Sequence, residues 1–406
     1  MRSELETALA LDRLVARAAT LARPVASLTP DNAAGERARL VACLERGELP
    51  VPAFSVVRQR IDGGVYRQLD EARALAADLS IGGLYIERLA ELELDLAILD
   101  AWGDPRRVRA LSARRYGRAS ESVEGADGTQ VPLSQVANAL LASIPPGSPE
   151  VSELPPEASG RGEASVGSMI RAAGLGIGLD VEVKVEPRLA SLAAAGERTV
   201  FLADRRFSLR EARRLTAHEV FGHLVVAANA RAQSLRLLQI GLAGSFADQE
   251  GIALYLEEAL GLLCGDRMRT LAARVMATVQ LHGGASFGDT ARMLLRDHGF
   301  SAQAAIAVAE RAYRGGGVAR DAGYLAGFLR VRRAIRRGDA SLDELRRGRV
   351  SLTQVESLRA LERVGLVQPP VYRPSLSLSR RLTFGGTKAD TSPPSEAASF
   401  TMLELT

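Results

Sequence analysis

The sequence is short of cysteine, lysine, aromatic residues and long apolar runs, and each shortage excludes something. Cys43 and Cys264 are the two cysteines in 406 residues. They lie far apart among apolar neighbours, so a disulfide-stapled scaffold is excluded and two buried free thiols are expected. Aromatic residues make up 4%, which leaves few platforms on which single-stranded nucleic acid could stack. No stretch of about 18 apolar residues exists to span a bilayer. The start, Met1-Arg2-Ser3-Glu4-Leu5-Glu6, carries acids where a secretory signal would have an apolar core. A cytoplasmic protein without a membrane partner is expected. Of 52 Lys+Arg residues only Lys184 and Lys388 are lysine. The net charge of +4 thus rests on arginine, an imbalance typical of coding bias, and with no groove-reading motif present no nucleic-acid partner is expected. The remainder, 47% apolar and 25% charged, is that of a globular protein of one large domain or two.

Histidine is scarce as well, at four residues, and its placement is informative. His218-Glu219-Val220-Phe221-Gly222-His223 puts two histidines and a glutamate within six residues. A zinc ion takes neutral imidazole nitrogens, and a zinc hydrolase also needs a carboxylate to take the proton of the metal-bound water. The common metallopeptidase helix carries its histidines at i and i+4, whereas here the second is at i+5. At 100° per residue the two side chains of a straight helix would be about 140° apart. Convergence therefore requires a π-bulge, with Gly222 as the expected place to absorb it. A third ligand must come from elsewhere, and the next helical segment offers Asp248, Glu250, Glu257 and Glu258. Glu257 stands about 10 Å along the axis from Glu250, so only one of these two can reach the ion.

The pair His218–His223 and Gln249-Glu250-Gly251-Ile252-Ala253 resembles the microtubule-associated tyrosine carboxypeptidase family, whose bacterial members are labelled "QEGLA motif" or flavohemoglobin expression-modulating proteins. Leu28-Thr29-Pro30-Asp31-Asn32 with Glu36, Asp204-Arg205-Arg206-Phe207-Ser208, and Tyr313-Arg314-Gly315-Gly316 through Arg320-Asp321 and Tyr324-Leu325 also resemble family signatures. Together they span roughly residues 20 to 335. Ile252 replaces the leucine of the motif, a harmless change. Arg320 stands where lysine is expected, a change that alters any contact made there. The resemblance selects Glu250 as third zinc ligand beside His218 and His223, with Glu257 as a group orienting a ligand. It implies a gluzincin-like zinc metallopeptidase with a bulged HExxxH helix, a carboxypeptidase acting near a peptide or protein C-terminus, with Glu219 activating zinc-bound water. The alternative is a non-enzymatic regulatory protein with a structural metal site.

The rest of the chain reads as mainly α with a small β element (α+β). Residues 1–117 are expected to be an N-terminal helical scaffold, opening with a helix over 4–23 whose stripe is Ala8, Leu11, Leu14, Val15 and Ala18. Residues 118–167, rich in Ser, Gly, Glu and Pro, read as a flexible linker or insertion with a short helix at 132–143. Residues 168–365 form the expected catalytic domain. Within it, 180–187 and 199–203 alternate as strands, and a Ser208–Glu211 capping box starts the zinc helix over 209–230. The second helix runs 247–263, and further capping boxes are expected at Ser341–Glu344 and Ser351–Gln354. Residues 366–406 read as a disordered tail. His282 and His298 precede glycines and read as helix C-terminal caps. Arg314, Arg320 and Tyr324 are candidates for holding a substrate carboxylate or oxyanion. The arginines at 330, 332, 333, 336, 337, 346, 347 and 349 read as a solvated helix face.

Overall fold

The computed structural model describes residues 2–57, 61–118, 121–125, 128–147, 151–158, 163–189 and 191–385. These are mainly helical with two small sheets, an α+β arrangement. No helix among them is long and apolar enough to cross a membrane. The chain divides into two compact units: the chain up to Pro146 with Gly265–Ala326, and Gly147–Cys264 with the chain from Gly327 on.

The first unit is built on helices. Of the stripe read from the sequence, the opening helix, Arg2–Leu21, buries Ala8, Leu11, Val15 and Ala18 and leaves Leu14 half-buried. Asp12 on that stripe is fully buried and accepts a hydrogen bond of 2.9 Å from Tyr85 of Gly82–Asp100, so the buried acid is matched. Asp104 caps the helix Pro105–Tyr116 by accepting from the amides of Arg106 and Arg107, with Pro105 at the position where a missing N–H does no harm. The signature around Asn32 and Glu36 has a structural reason. Asn32 donates to the carbonyl of Ala53 and accepts from the amide of Ser55, while Glu36 accepts from the amide of Ala53. These side chains take the place of strand partners for an extended, proline-bordered segment that has none. Leu40 and Leu44 of Ala33–Glu45 pack with Phe287, Leu294 and Ile306 of the later helices Phe287–Arg296 and Ala302–Tyr313. Ser122–Glu124 pairs antiparallel with Gln130–Pro132, which alternation did not reveal, and Leu133–Ser143 is the helix expected at 132–143.

The second unit carries the other sheet. Glu182–Val185 runs parallel to Thr199–Leu202, and Ala193–Ala195 lies antiparallel on the other side of it. Three alanines have no β preference, so this third strand is not legible in the sequence. From the sheet the chain enters Leu209–Thr216, started by the reciprocal Ser208–Glu211 capping box. It continues as Ala217–Leu224 and Val225–Ala232, and after a loop with one short helix reaches Ser245–Ala259. The Ser341–Glu344 capping box forms as expected. Ser351 does not cap with its hydroxyl, which donates instead to Asp248 at 2.9 Å. Asp248 also accepts from the amide of Leu352 and pairs with Arg330.

Residues 366–385 correct the expected tail. The side-chain amide of Asn229 donates to the carbonyl of Tyr372 and accepts from its amide, and Gln233 does the same for Gln368. Arg346 donates to the carbonyl of Pro374, and Leu376–Phe384 is a helix. Composition suggested disorder because the anchors are side chains well outside the segment, two of them over a hundred positions away. Residues 386–406 of the expected tail lie outside the described residues.

Small residues let the helices of this unit touch backbone to backbone. A Cβ added at Gly251 would stand 2.3 Å from the carbonyl oxygen of Gly327, and one at Gly327 would stand 1.8 Å from that of Ala247. Gly327→Ala and Gly251→Ala are each expected to lose about 3 kcal/mol or more of stability, at or above the usual range for overpacking. Gly83→Ala, with nothing within 4 Å of its added Cβ, is the control and should be neutral or mildly stabilising. Denaturant midpoints of the three variants would check this, and an unaffected Gly327→Ala would refute the close packing.

Candidate metal centre

Residues Ala217–Leu224 form a π-helix between two α-helical stretches. Its i→i+5 pattern, seen in the bond from the amide of Val225 to the carbonyl of Val220, gives residues five apart the shared face that residues four apart have in an α-helix. His218 and His223 therefore converge, with ring centroids 4.9 Å apart and planes at 77°. The expected bulge is present, but it spans eight residues and is not concentrated at Gly222. Gly222 serves the packing. A Cβ there would sit 2.7 Å from the Cβ of Ala253, so its absence allows the helix Ser245–Ala259 to lie directly against the histidines.

That second helix supplies Glu250. The Nε2 atoms of His218 and His223 are 3.2 Å apart, and Glu250 Oε2 is 3.5 Å from the first and 3.6 Å from the second. Two of these distances are long for hydrogen bonds, and two ring nitrogens facing each other gain little without a cation between them. A point equidistant from the three atoms lies about 2 Å from each, the length of a bond from a small divalent ion to imidazole nitrogen or carboxylate oxygen. Among the described residues this is the group of His, Cys, Asp and Glu side chains that could hold a metal ion.

A second layer holds His218 in place. Its Nδ1 lies 2.7 Å from Oε1 of the fully buried Glu257, which leaves Nε2 free of that contact to act as a ligand. Arg214, one helical turn before His218, approaches the same oxygen at 3.5 Å. Sequence reasoning assigned Glu257 an orienting role but missed Arg214; its i−4 spacing from His218 is the signal that would have found it. Burial alone would push His218 down, but the carboxylates of Glu250, Glu257 and Glu219 outweigh it and raise the imidazole to about 9. Burial would push Glu250 up, and the two histidines outweigh that and hold it well below the usual carboxylate range.

Glu219 is 4% exposed, and its Oε2 is buried with no hydrogen-bond partner. A carboxylate oxygen in that state is expensive unless it serves a cation or a proton in transit.

The other candidates are elsewhere. Glu258 pairs with Arg332 at 2.8 Å, and Asp248 holds the turn at Ser351. His282 ends its helix in the first unit, but its Nε2 is buried and caps nothing. His298 contributes its carbonyl to Arg269. Arg314, Arg320 and Tyr324 belong to the first unit, where Tyr324 is buried with Arg274 at 5.0 Å and Arg311 at 5.8 Å from its ring centroid. Of the arginines from 330 to 349, Arg330, Arg332 and Arg347 are engaged by Asp248, Glu258 and Glu362, and Arg346 is fully buried. The stretch is thus only in part a solvated face.

A family model described as microtubule-associated tyrosine carboxypeptidase matches residues 62–383. The match contains His218–His223, Glu250 and the Arg314–Tyr324 signature, and begins after the one at Leu28–Glu36. No curated protein matches the chain. Among solved structures, a chain described as a lipoprotein from Colwellia psychrerythraea is 17% identical with a TM-score of 0.36; the likeness covers 79% of this chain and 60% of that one.

Two predictions follow from the donor geometry. One divalent ion should bind per chain, read by elemental analysis. His218→Ala, His223→Ala and Glu250→Ala should abolish binding, while Glu257→Gln should weaken it about 10- to 100-fold. Retention of the metal by Glu250→Ala with loss in Glu257→Ala would reverse the two roles. The second prediction concerns pH. In the metal-free protein His218 is protonated below about 9, and an incoming ion must displace that proton. Apparent affinity should fall about tenfold for each pH unit from 8 to 6, measured by competition with a chelator; a flat profile would count against His218 as ligand.

Proposed function

The chain belongs to the microtubule-associated tyrosine carboxypeptidase family, and we propose that it is a zinc-dependent metallocarboxypeptidase that cleaves a peptide bond near the C-terminus of a peptide or protein. The observation that carries this reading is the triangle of His218 Nε2, His223 Nε2 and Glu250 Oε2, with sides of 3.2, 3.5 and 3.6 Å. Two imidazoles from one helix and a carboxylate from the next are a gluzincin-type donor set. Nitrogen and oxygen donors in that number, with one position left over, suit catalytic zinc better than calcium or magnesium, which take oxygen. Bound there, zinc would polarise the substrate carbonyl and bring the pKa of a water molecule near 7.

The protein's own groups do the rest. Glu219 accepts the proton of the attacking water through its unpartnered buried oxygen. As the carbon–nitrogen bond breaks, Glu219 returns that proton to the leaving amine, so one carboxylate serves as base and then acid. Glu257, backed by Arg214, keeps the Nδ1 proton of His218 in place and fixes the tautomer whose Nε2 can bind a cation. The family description names tyrosine as the residue removed, and a C-terminal aromatic residue is accordingly the first substrate to try.

Glu219→Gln should keep its metal and lose about 10²- to 10⁴-fold in kcat, the range of a general acid–base group. Mass spectrometry of a peptide library should show C-terminal trimming that a chelator abolishes and zinc restores. Full activity of Glu219→Gln would refute its role. A fully zinc-loaded protein that cleaves nothing would point to the structural-metal alternative.

A further inference from the structure

One C-terminal segment is fastened to both ends of the helix that carries the histidines. Beyond the π-segment, the side-chain amide of the fully buried Asn229 donates to the carbonyls of Arg346 and Tyr372, at 2.9 and 3.0 Å, and accepts from the amide of Tyr372 at 2.7 Å. One turn later Gln233 donates to the carbonyl of Gln368 and accepts from its amide, both at 2.9 Å. Each side-chain amide thus bonds one residue of the segment as a strand neighbour would. Arg346, also fully buried, adds a donor to the carbonyl of Pro374 at 3.1 Å.

Before the π-segment the contact is made by the helix Leu376–Phe384, which Ser375 caps. This helix packs on Leu209–Thr216 and on Ala217–Leu224, and it buries Ser379 and Thr383. The ring centroid of Phe384 lies 4.9 Å from the guanidinium carbon of Arg213, a cation held over an aromatic face. Leu382 fills the space that a side chain at Gly176 would need, since a Cβ there would stand 2.5 Å from one of its methyl carbons. The segment from Gln368 to Phe384 therefore runs antiparallel to the helix from Arg213 to Gln233 and spans the π-residues.

Attachment on both sides makes the segment sensitive to helical phase. Were Ala217–Leu224 to relax to α geometry, the stretch beyond it would rotate by one residue's worth, about 100°, against the stretch before it. Asn229 and Gln233, four apart and on one face, would then turn away from Tyr372 and Gln368 while Arg213 stayed under Phe384. His218 and His223 would part in the same movement. Both attachments are met together in the π register, the one that lets the imidazoles converge.

We propose that residues 366–385 are a splint for the π register, with Arg213 at one end and Asn229 and Gln233 at the other as positioning residues. Docking of the splint and binding of a metal ion at His218, His223 and Glu250 then strengthen each other. The proposal rests on the metal-centre reading and is independent of catalysis. A coupling of this kind is reciprocal and commonly amounts to about 5- to 150-fold, so it can be measured from either side.

Hydrogen exchange and chelator competition on the full chain test this with zinc as the probe. Zinc should slow amide exchange across residues 366–385 as well as across 217–224. In the other direction, Gln233→Leu and Phe384→Ala, at opposite ends of the splint, should each weaken zinc binding about tenfold while the chain remains folded by circular dichroism. Phe384→Trp, which keeps a ring for Arg213, should bind zinc as the parent does, and so should Val371→Ala, whose side chain is 65% exposed. Releasing either end frees the phase, so the double variant should lose about as much as one single variant and not the sum. A segment that merely stabilised the fold would shift denaturant midpoints and leave the zinc affinity of the folded variants unchanged. Exchange of 366–385 that ignores zinc, or parental zinc affinity in either single variant, would overturn the splint and leave the metal centre standing. A parent chain that takes up no zinc would remove both.

Discussion

The metal centre depends on a change of helical register over eight residues. In an α-helix, positions 218 and 223 face different directions and no packing of neighbours can correct that. With i→i+5 bonds from Ala217 to Leu224 the two imidazoles meet edge to face and their Nε2 atoms come within 3.2 Å. A π-segment is unfavourable in isolation, so its surroundings must hold it. Here it is flanked by ordinary helix on both sides, started by a complete capping box, and pressed against Ala253 through the missing side chain of Gly222.

Charge explains why the centre suits a cation. Glu219 and Glu257 are buried and Glu250 nearly so, with Arg214 as the cation beside Glu257. With both histidines neutral, three carboxylates against one guanidinium leave two negative charges, which a divalent ion balances. Without an ion, protonation of His218 supplies part of the same compensation, which is why its imidazole is raised.

Much of this was legible. The donor cluster of the candidate centre could be read because metal-binding side chains are rare in this chain: with four histidines, two within six residues stand out. The need for a π-turn followed from arithmetic on the spacing. Capping at Ser208 and the buried stripe of the first helix are local patterns, decided within a few residues, and they appear in the structure. The reading failed where partners are distant. The alanine strand at 193–195 exists because Thr199–Leu202 needs a neighbour. The segment from 366 to 385 is ordered because Asn229, Gln233 and Arg346 receive its backbone. Ser351 looked like a cap and serves Asp248 instead.

By itself the sequence determined the two histidines of the candidate centre, the carboxylate beside them and the register problem they pose, since these depend on residue type and on separations along one helix. Which acid joins them was picked out along the chain only by the motif resemblance at Gln249–Ala253, and its physical reason lies in the tertiary structure. Asp248, Glu250, Glu257 and Glu258 share one helix, and only the direction in which that helix crosses the histidines tells them apart. Gly222 against Ala253 and Gly251 against Gly327 set that crossing, turning Glu250 toward both Nε2 atoms, Glu257 toward Nδ1, and the other two toward Ser351 and Arg332. Distances of a few ångströms between separate helices are fixed by packing, and no pattern along the chain encodes them.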